Sequence, residues 1–316
     1  MASSADCPLV SIVIPCFASS GQHAELLDET LQTVDTQDYP HLEVIVVDDG
    51  SPIPIDGIAS RHREARVVRR SNGGSAQARN TGIADSRGTM IVFLDSDDHL
   101  LSGALATGVR QLAEHPECGF VVGGREEMTF EGHPVRWGLA SAPRGSHLYH
   151  TLLGFDWYII PPSSAMFRRE AVAAVGGFRD PWGADDLDFY LRIAHGFEGF
   201  CYDAPAVTRY RRYSTSSSRD GERMLNSIRA VYDRQRPVVA GDPAAEAAFE
   251  RGLSQLTEIF RDCLVENLVD RVRGGDWRRA LRSARMLVAE SPGRVLPALR
   301  RLVSPHRFSD GLSGTT

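Results

Sequence analysis

The sequence predicts an α/β fold: a Rossmann-like, mostly parallel sheet with helices on both faces, followed by a C-terminal helical appendage. Three observations predict it. Between Leu9 and Val122, short apolar runs of strand length alternate with helix-period segments, the pattern of β–α–β units around a parallel sheet. Asp-rich polar clusters follow several of the apolar runs directly. From Gly221 onward the apolar spacing is helical to the end.

Each element has its own signal. Leu9–Pro15 (LVSIVIP) is an apolar run closed by Pro and reads as a buried strand. Ala24–Val34 carries Leu26, Leu27, Leu31 and Val34 at helical spacing. Leu42–Val47 is a second strand and runs into Asp48-Asp49-Gly50-Ser51; Ala65–Val68 is a third. Ala76–Asp85 reads as a helix, and Met90–Leu94 as a fourth strand ending in Asp95-Ser96-Asp97-Asp98. Leu101–Glu114 is helical, and Gly119–Val122 is a fifth strand. Right-handed crossovers put the ends of such strands on one edge, where α/β sheets bind ligands. The polar segments after Ile14, Val47 and Leu94 therefore converge on one cleft. Thr129–Ser163 is irregular and rich in Gly, Pro and aromatics, whereas Ala247–Val272 and Trp277–Ala289 are amphipathic helices.

Composition narrows the chemistry. The 316 residues are 42% hydrophobic and 24% charged, enough for a sizeable core. A net charge of −6 argues against a nucleic-acid partner. Every basic residue is Arg, which excludes a Lys Schiff base and a P-loop Lys. Cys7, Cys16, Cys118, Cys201 and Cys263 are widely spaced with no CxxC pair, against a zinc or dithiol site. No apolar stretch is long enough for a bilayer, and Met1–Pro8 lacks signal-peptide character. The expected location is the cytoplasm.

Several segments carry chemistry, each with a plainer alternative. Carboxylates two apart face opposite sides of a strand, but in the turn beyond it Asp95, Asp97 and Asp98 can converge. A convergent pair suits a hard divalent cation whose other ligands are diphosphate oxygens; a helix N-cap uses the same residues. Asp48 and Asp49 suit the N–H and hydroxyl donors of a nucleoside, or form a solvated turn closed by Gly50. Asn72-Gly73-Gly74-Ser75, before a helix carrying Arg79, offers backbone N–H groups to an anion. No Gly-x-Gly-x-x-Gly follows the first strand, which disfavours a dinucleotide cofactor. Gly183–Asp188 opens a helix running to about His195, and the helix dipole favours acids there. Adjacent carboxylates also raise one another's pKa, as a general base requires. Leu187 and Leu191 face the core at i,i+4 and leave Asp186 to point elsewhere. Arg209–Tyr213 (RYRRY) has strand character; Arg211 and Arg212 match diphosphate oxygens, or the segment is a charged edge strand. Trp182 suits stacking on a sugar.

In order along the chain, these segments resemble the family-2 glycosyltransferases of GT-A fold. Val10–Phe17 is similar to that family's opening strand, with Ala18 where Asn is usual. Val46–Ser51 (VVDDGS), Asn72–Gly82 (NGGSAQARNTG), Phe93–Asp98 (FLDSDD) and Ser164–Phe178 follow in register. Asp185-Asp186 with Leu191-Arg192 resembles the ED motif, Asp185 replacing Glu; Tyr213 stands where relatives often carry His. The resemblance implies a GT-A domain over residues 1–220, with a nucleotide-binding half (1–125), an acceptor half (126–220) and a helical region (221–316). Asp49 would contact the base with Asp48 nearby, and Pro15, Phe17 and Asn72 would line the donor site. Asp95 and Asp97, flanking Ser96, would meet ribose and metal, with Asp98 an alternative ligand. Arg79 would order the donor site, Arg211 and Arg212 would meet the diphosphate, and Trp182 the acceptor. Asp186 would be the general base and Asp185 its neighbour.

The implied reaction is inverting, metal-dependent transfer, with Mn2+ or Mg2+, of a sugar from a nucleoside-diphosphate sugar to a hydroxyl. The acceptor classes are polysaccharide, lipid-linked glycan and small natural product. Two alternatives stay open. A sugar nucleotidyltransferase usually has a Gly-rich basic loop after its first strand, which Cys16-Phe17-Ala18-Ser19 lacks. A catalytically inactive nucleotide-sugar-binding scaffold fits the departures at Asp185 and Tyr213. The Arg-rich C-terminal helices suit an anionic membrane or a partner, including a second copy, or form a solvated face.

Overall fold

The computed structural model describes residues 7–135, 148–157, 162–179, 183–213, 217–296 and 300. Strands β1 (Val10–Cys16), β2 (Leu42–Asp48), β3 (Ala65–Arg69) and β4 (Met90–Phe93) pair in parallel in the order β3-β2-β1-β4. β1, β2 and β4 are buried along their whole length, which is why their sequences are nearly continuous apolar runs. Helices α1 (Gly21–Asp35), α2 (Asp56–Ala59) and α3 (Ser75–Asp85) lie between these strands in sequence. α3 packs directly on β1: a Cβ at Gly82 would meet Val13 Cγ1 at 2.2 Å.

The sheet continues with β5 (His99–Leu100), β6 (Cys118–Met128), β7 (Pro134–Val135), β8 (Ala165–Arg168) and β9 (Glu198–Arg211). Its full order is β3-β2-β1-β4-β8-β6-β9-β5, with β7 on β6. The expected fifth strand is present as β6, but it does not adjoin β4. β8 inserts between them, antiparallel to both. Its sequence, Ala165-Met166-Phe167-Arg168, runs straight into helix α6 (Arg169–Ala174) with no turn residue between them, so this strand escapes a reading of the sequence. β6 and β9 still run in the direction of β1–β4, so six of the nine strands point the same way. The Arg209–Tyr213 segment is open to an edge-strand reading; the structure puts Arg209–Arg211 at the end of β9, paired with β6 throughout and with the two-residue β5 at Arg209.

Side chains alternate across the sheet with a period of two. Ile12, Ile14, Val44 and Val46 face α1, α2 and α4 (Ala104–Glu114). Val13, Ile45, Val47 and Phe93 face the other layer, with α3, α5 (Leu148–Leu153), α6 and α7 (Asp185–Gly196). Helices therefore cover both faces. The same second cluster runs on into α8 (Gly221–Val239), α9 (Pro243–Arg273) and α10 (Trp277–Glu290), through Ile228, Tyr232, Phe249 and Leu264. Asp220, Asp242 and Asp276 cap the starts of these three helices by accepting backbone N–H bonds. α9 starts at Pro243, ahead of the expected Ala247, because Asp242-Pro243 is a cap followed by a first-turn Pro. Among the described residues, no helix is long and apolar enough to cross a membrane.

On the α1 layer His62 lies between Asp35 (Nδ1–Oδ2 2.7 Å) and Asp28 (Nε2–Oδ1 3.1 Å). Burial disfavours the imidazolium, but the hydrogen bonds to Asp35 and Asp28 outweigh it and raise the pKa above 6.5. A raised folded-state pKa adds stability that is complete below the unfolded-state value and is lost as pH rises through the folded one. His62→Gln is therefore expected to lower Tm more at about pH 5.5 than at about pH 8.5. Equal losses in thermal melts at both pH values would show that the imidazolium contributes nothing.

Candidate active site

The ends of the parallel strands are tied together. Asp49 N donates to Cys16 O (2.8 Å), Arg70 N to Asp48 O (2.9 Å) and Leu94 N to Val13 O (3.0 Å). Ala18 N donates to Ser51 Oγ (2.9 Å). The loops after β1, β2, β3 and β4 thus meet on one edge, as the topology rule requires.

Both carboxylates of the β2 turn point into the fold. Asp48 is fully buried and accepts from Ser51 N (2.8 Å) and Arg69 Nη1 (2.9 Å). Asp49 accepts from Gly73 N (3.0 Å), Gly74 N (2.8 Å) and the Arg70 guanidinium. It fixes the 70–74 loop at the start of α3 and leaves Asn72 exposed there. Gly50, at φ +79°, makes the turn possible; a Cβ on it would meet Asn72 N at 2.9 Å. Gly50→Ala is expected to cost about 1–3 kcal/mol in denaturant unfolding. A loss below about 0.5 kcal/mol would show that the turn tolerates a side chain. Pro15 is buried at the end of β1, and Phe17 beyond it is 46% exposed.

The turn after β4 gives its first two carboxylates different partners. Asp95 Oδ1 accepts from Arg79 Nη2 (2.6 Å), and Asp97 Oδ2 accepts from Tyr213 Oη (2.8 Å). Burial, then the charge of Asp95, raise the Asp97 carboxyl above its ordinary value. Ser96 between them is partly buried. Two like charges held close in a partly buried turn form a hard-oxygen pair of the kind a divalent cation neutralises. Among the described residues no three His, Cys, Asp or Glu side chains form a complete metal site. Asp95 and Asp97 fit a site in which bound phosphate oxygens complete the coordination.

Asp98 does not join this pair. It is fully buried, with Oδ1 accepting from Arg211 N (3.0 Å) and Oδ2 from Ser163 Oγ (2.8 Å). Both oxygens hold β9 and the 162–164 turn in place. Arg211 is tied into the same framework. Its guanidinium donates to Asp97 O, Phe130 O and Glu29 Oε2, and the residue is 2% exposed. These three acceptors occupy the Arg211 guanidinium inside the fold. Arg212 is one-third exposed and donates to Glu127 Oε2 (2.9 Å). Tyr213, in the place where relatives often carry His, reaches the turn instead.

Arg79 connects the two halves of the site. It projects from α3, donates through Nη2 to Asp95 and through Nη1 to Asp185 Oδ2 (2.7 Å), and is 5% exposed. Its guanidinium lies 5.2 Å from the ring centroid of Phe178. Asn80, the next residue of α3, clamps Phe178 through its backbone N and O, each at 2.8 Å. Burial disfavours the Arg79 charge; Asp95 and Asp185 outweigh it and hold the guanidinium protonated. Arg79 Nε is buried without a hydrogen-bond partner among the described residues.

Asp185 and Asp186 open α7. Burial pushes the Asp185 carboxyl up to about 7; Arg79 opposes this and Asp186 adds to it. Burial also raises Asp186, against the Leu187 N–H that donates to its Oδ1 at 2.7 Å. Leu187 and Leu191 are buried, as their spacing requires. Asp188 belongs to the framework: fully buried, it pairs with Arg192 and Arg234. Trp182 lies outside the described residues. The sequence alone does not point to Arg70, nor to the side-chain partners of Ser75 (3.5 Å from Asp185) and Phe178, which are remote in sequence. Nor does it point to Tyr190, a buried hydroxyl unpartnered among the described residues, whose pKa is raised by burial and then by Asp186. Nothing in a helical Tyr announces that position.

A mixed α/β sheet with acidic loops joined along its strand ends, and helices on both faces, is the GT-A fold. The solved structure of S. aureus TarS residues 1–349 with UDP-GlcNAc aligns at TM-score 0.62 and 17% identity, over 92% of this chain and 83% of that one. The Pyrobaculum calidifontis mannosyltransferase PcManGT, in complex with GDP-Man and Mn2+, aligns at TM-score 0.57 and 21% identity, over 94% and 87%. The chain belongs to glycosyl transferase family 2, whose sequence model matches residues 11–176, just over half its length. A Bacillus subtilis (strain 168) relative described as "Uncharacterized glycosyltransferase EpsJ" is 35% identical over 177 residues, 52% of this chain and 48% of that protein. The chain thus spans about half the length of that relative.

Proposed function

We propose that this protein is an inverting glycosyltransferase that moves a hexosyl group from a nucleoside-diphosphate sugar to an acceptor hydroxyl. The carrying observation is the Arg79 bridge, which holds Asp95 and Asp185, 90 positions apart in sequence, in one site. Asp95 and Asp97 would hold Mn2+ or Mg2+, which when bound neutralises charge on the leaving diphosphate. The exposed Phe17 ring, Asn72 and the loop held by Asp49 would receive the nucleoside. Asp186 takes the proton from the acceptor hydroxyl as its oxygen attacks the anomeric carbon. The new bond forms on the face opposite the departing nucleoside diphosphate, so the centre inverts. Asp185, locked by Arg79, positions α7 under the acceptor. The UDP-GlcNAc and GDP-Man complexes of the similar structures support a hexose donor. In this reading residues 1–220 carry donor and acceptor sites, 221–316 are a helical support, and the reaction is cytoplasmic.

Thermal melting with UDP, GDP, dTDP and CDP, with and without Mn2+, tests the donor site. One nucleotide at about 100 times its Kd is expected to stabilise the protein by about 2.7 kcal/mol. Chelation of the metal is expected to remove most of that gain. The reading fails if no nucleotide shifts the melt at saturation. Pyrophosphate release from a nucleoside triphosphate would instead identify a nucleotidyltransferase, and binding without turnover a scaffold.

A further inference from the structure

The C-terminal end is electrically opposite to the rest of the chain. From Arg271 to Arg301 there are nine arginines and two acids, Asp276 and Glu290, in a protein of net charge −6. α10 sorts these residues by face. Ala280, Ser283 and Leu287 are buried. Beside them Trp277, Leu281 and Val288 are 67%, 54% and 55% exposed. Their i, i+4, i+11 spacing puts them within an arc of about 40° on a helix. Arg278, Arg282 and Arg285 are exposed on the adjoining face. Neighbouring arginines are neutralised: Arg279 by Asp276, Arg294 by Glu258 and Asp262, Arg271 by Asp220 and Glu222. Arg278, Arg282 and Arg285 have no acidic partner among the described residues.

We propose that this face of α10 docks the protein on an anionic lipid surface. An indole and two aliphatic side chains in line are the part that enters the headgroup boundary, and the flanking guanidiniums meet anionic headgroups. A helix of this length lies flat over about 21 Å. Its apolar stripe is convex, not a groove for a partner segment. A two-fold pairing of this face with its copy would set the same unpaired arginines against each other with no acid between them. Lipid supplies the missing negative charge. The inference does not rest on the proposed reaction, because docking needs no nucleotide.

Co-sedimentation of the full chain with phosphatidylcholine vesicles, with and without about one-third phosphatidylglycerol, is the test. Binding is expected only with the anionic lipid, and is expected to fall at least about tenfold between about 0.1 and 0.5 M NaCl. The triple variant Arg278→Glu/Arg282→Glu/Arg285→Glu should bind at least about tenfold more weakly, and Trp277→Ser/Leu281→Ser should also lose binding. A cooperative thermal melt at the parent's Tm would show that both variants are folded. Absence of binding to anionic vesicles, equal binding to neutral ones, or full binding by the triple variant overturns the proposal. So does light scattering that finds a dimer which Trp277→Ser/Leu281→Ser converts to monomer, since the face would then be an interface between copies.

Discussion

Asp186→Asn is expected to lower kcat by about 10²–10⁴-fold while leaving nucleotide affinity unchanged. An amide of the same shape still accepts from Leu187 N, as the Asp186 carboxylate does. It cannot take a proton. The same substitution also makes a stability statement of opposite sign. Burial raises the carboxyls of both Asp186 and its neighbour Asp185, the latter to about 7. A carboxyl whose folded-state pKa is raised binds more protons when folded, so stability falls as pH rises from the unfolded value towards the folded one. Asn removes that penalty. The variant should therefore melt no lower than the parent at about pH 8, and activity of the parent should fade on the acid side as the pair takes up a proton. Single-turnover rates, nucleotide titrations and melts on one preparation separate the outcomes. Loss of fold together with activity would make Asp186 a structural residue and sink the general-base assignment.

The sequence carried the parts of this site that are local and hid the parts that are relational. β1, β2 and β4 were legible because a strand buried on both faces must be a short apolar run ended by polar residues. The convergence of their ends followed from handedness alone. What no local pattern carries is which side chain of a motif faces the cleft. Asp95, Asp97 and Asp98 look interchangeable in sequence, yet Asp98 is consumed by Ser163 and Arg211 from segments 65 and 113 positions away. Arg211 reads as a surface cation until its acceptors Asp97 O, Phe130 O and Glu29, from three other segments, are known. β8 inserts where only a long-range pairing could reveal it. The family resemblance supplied roles for Asp185, Asp186 and Arg79, but not the ion pairs that join them.

Those ion pairs make Arg79→Met the substitution with the widest consequences. The guanidinium fork spans two carboxylates from different loops, and its own surroundings are closed by Phe178. Deleting it leaves Asp185, nearly buried, and Asp95, about one-quarter exposed, without their shared cation. Breaking a buried pair from one side costs about 3–5 kcal/mol, because the remaining charges keep their desolvation penalty. Part of that loss would be avoided by protonation: without Arg79 the Asp185 carboxyl should rise beyond about 7, so the variant should recover stability as pH falls. Arg79→Met/Asp185→Asn should recover part of it at fixed pH, with a coupling of about 0.5–3 kcal/mol. Arg79→Lys separates charge from geometry. An ammonium can neutralise one carboxylate but lacks the planar fork that orders two, so stability should return further than kcat/KM does. Denaturant unfolding at two pH values measures the effect directly. Stability of Arg79→Met within about 0.5 kcal/mol of the parent would mean that Asp95 and Asp185 are neutral or separately solvated, and the bridge that unites the two motifs would lose its energetic basis.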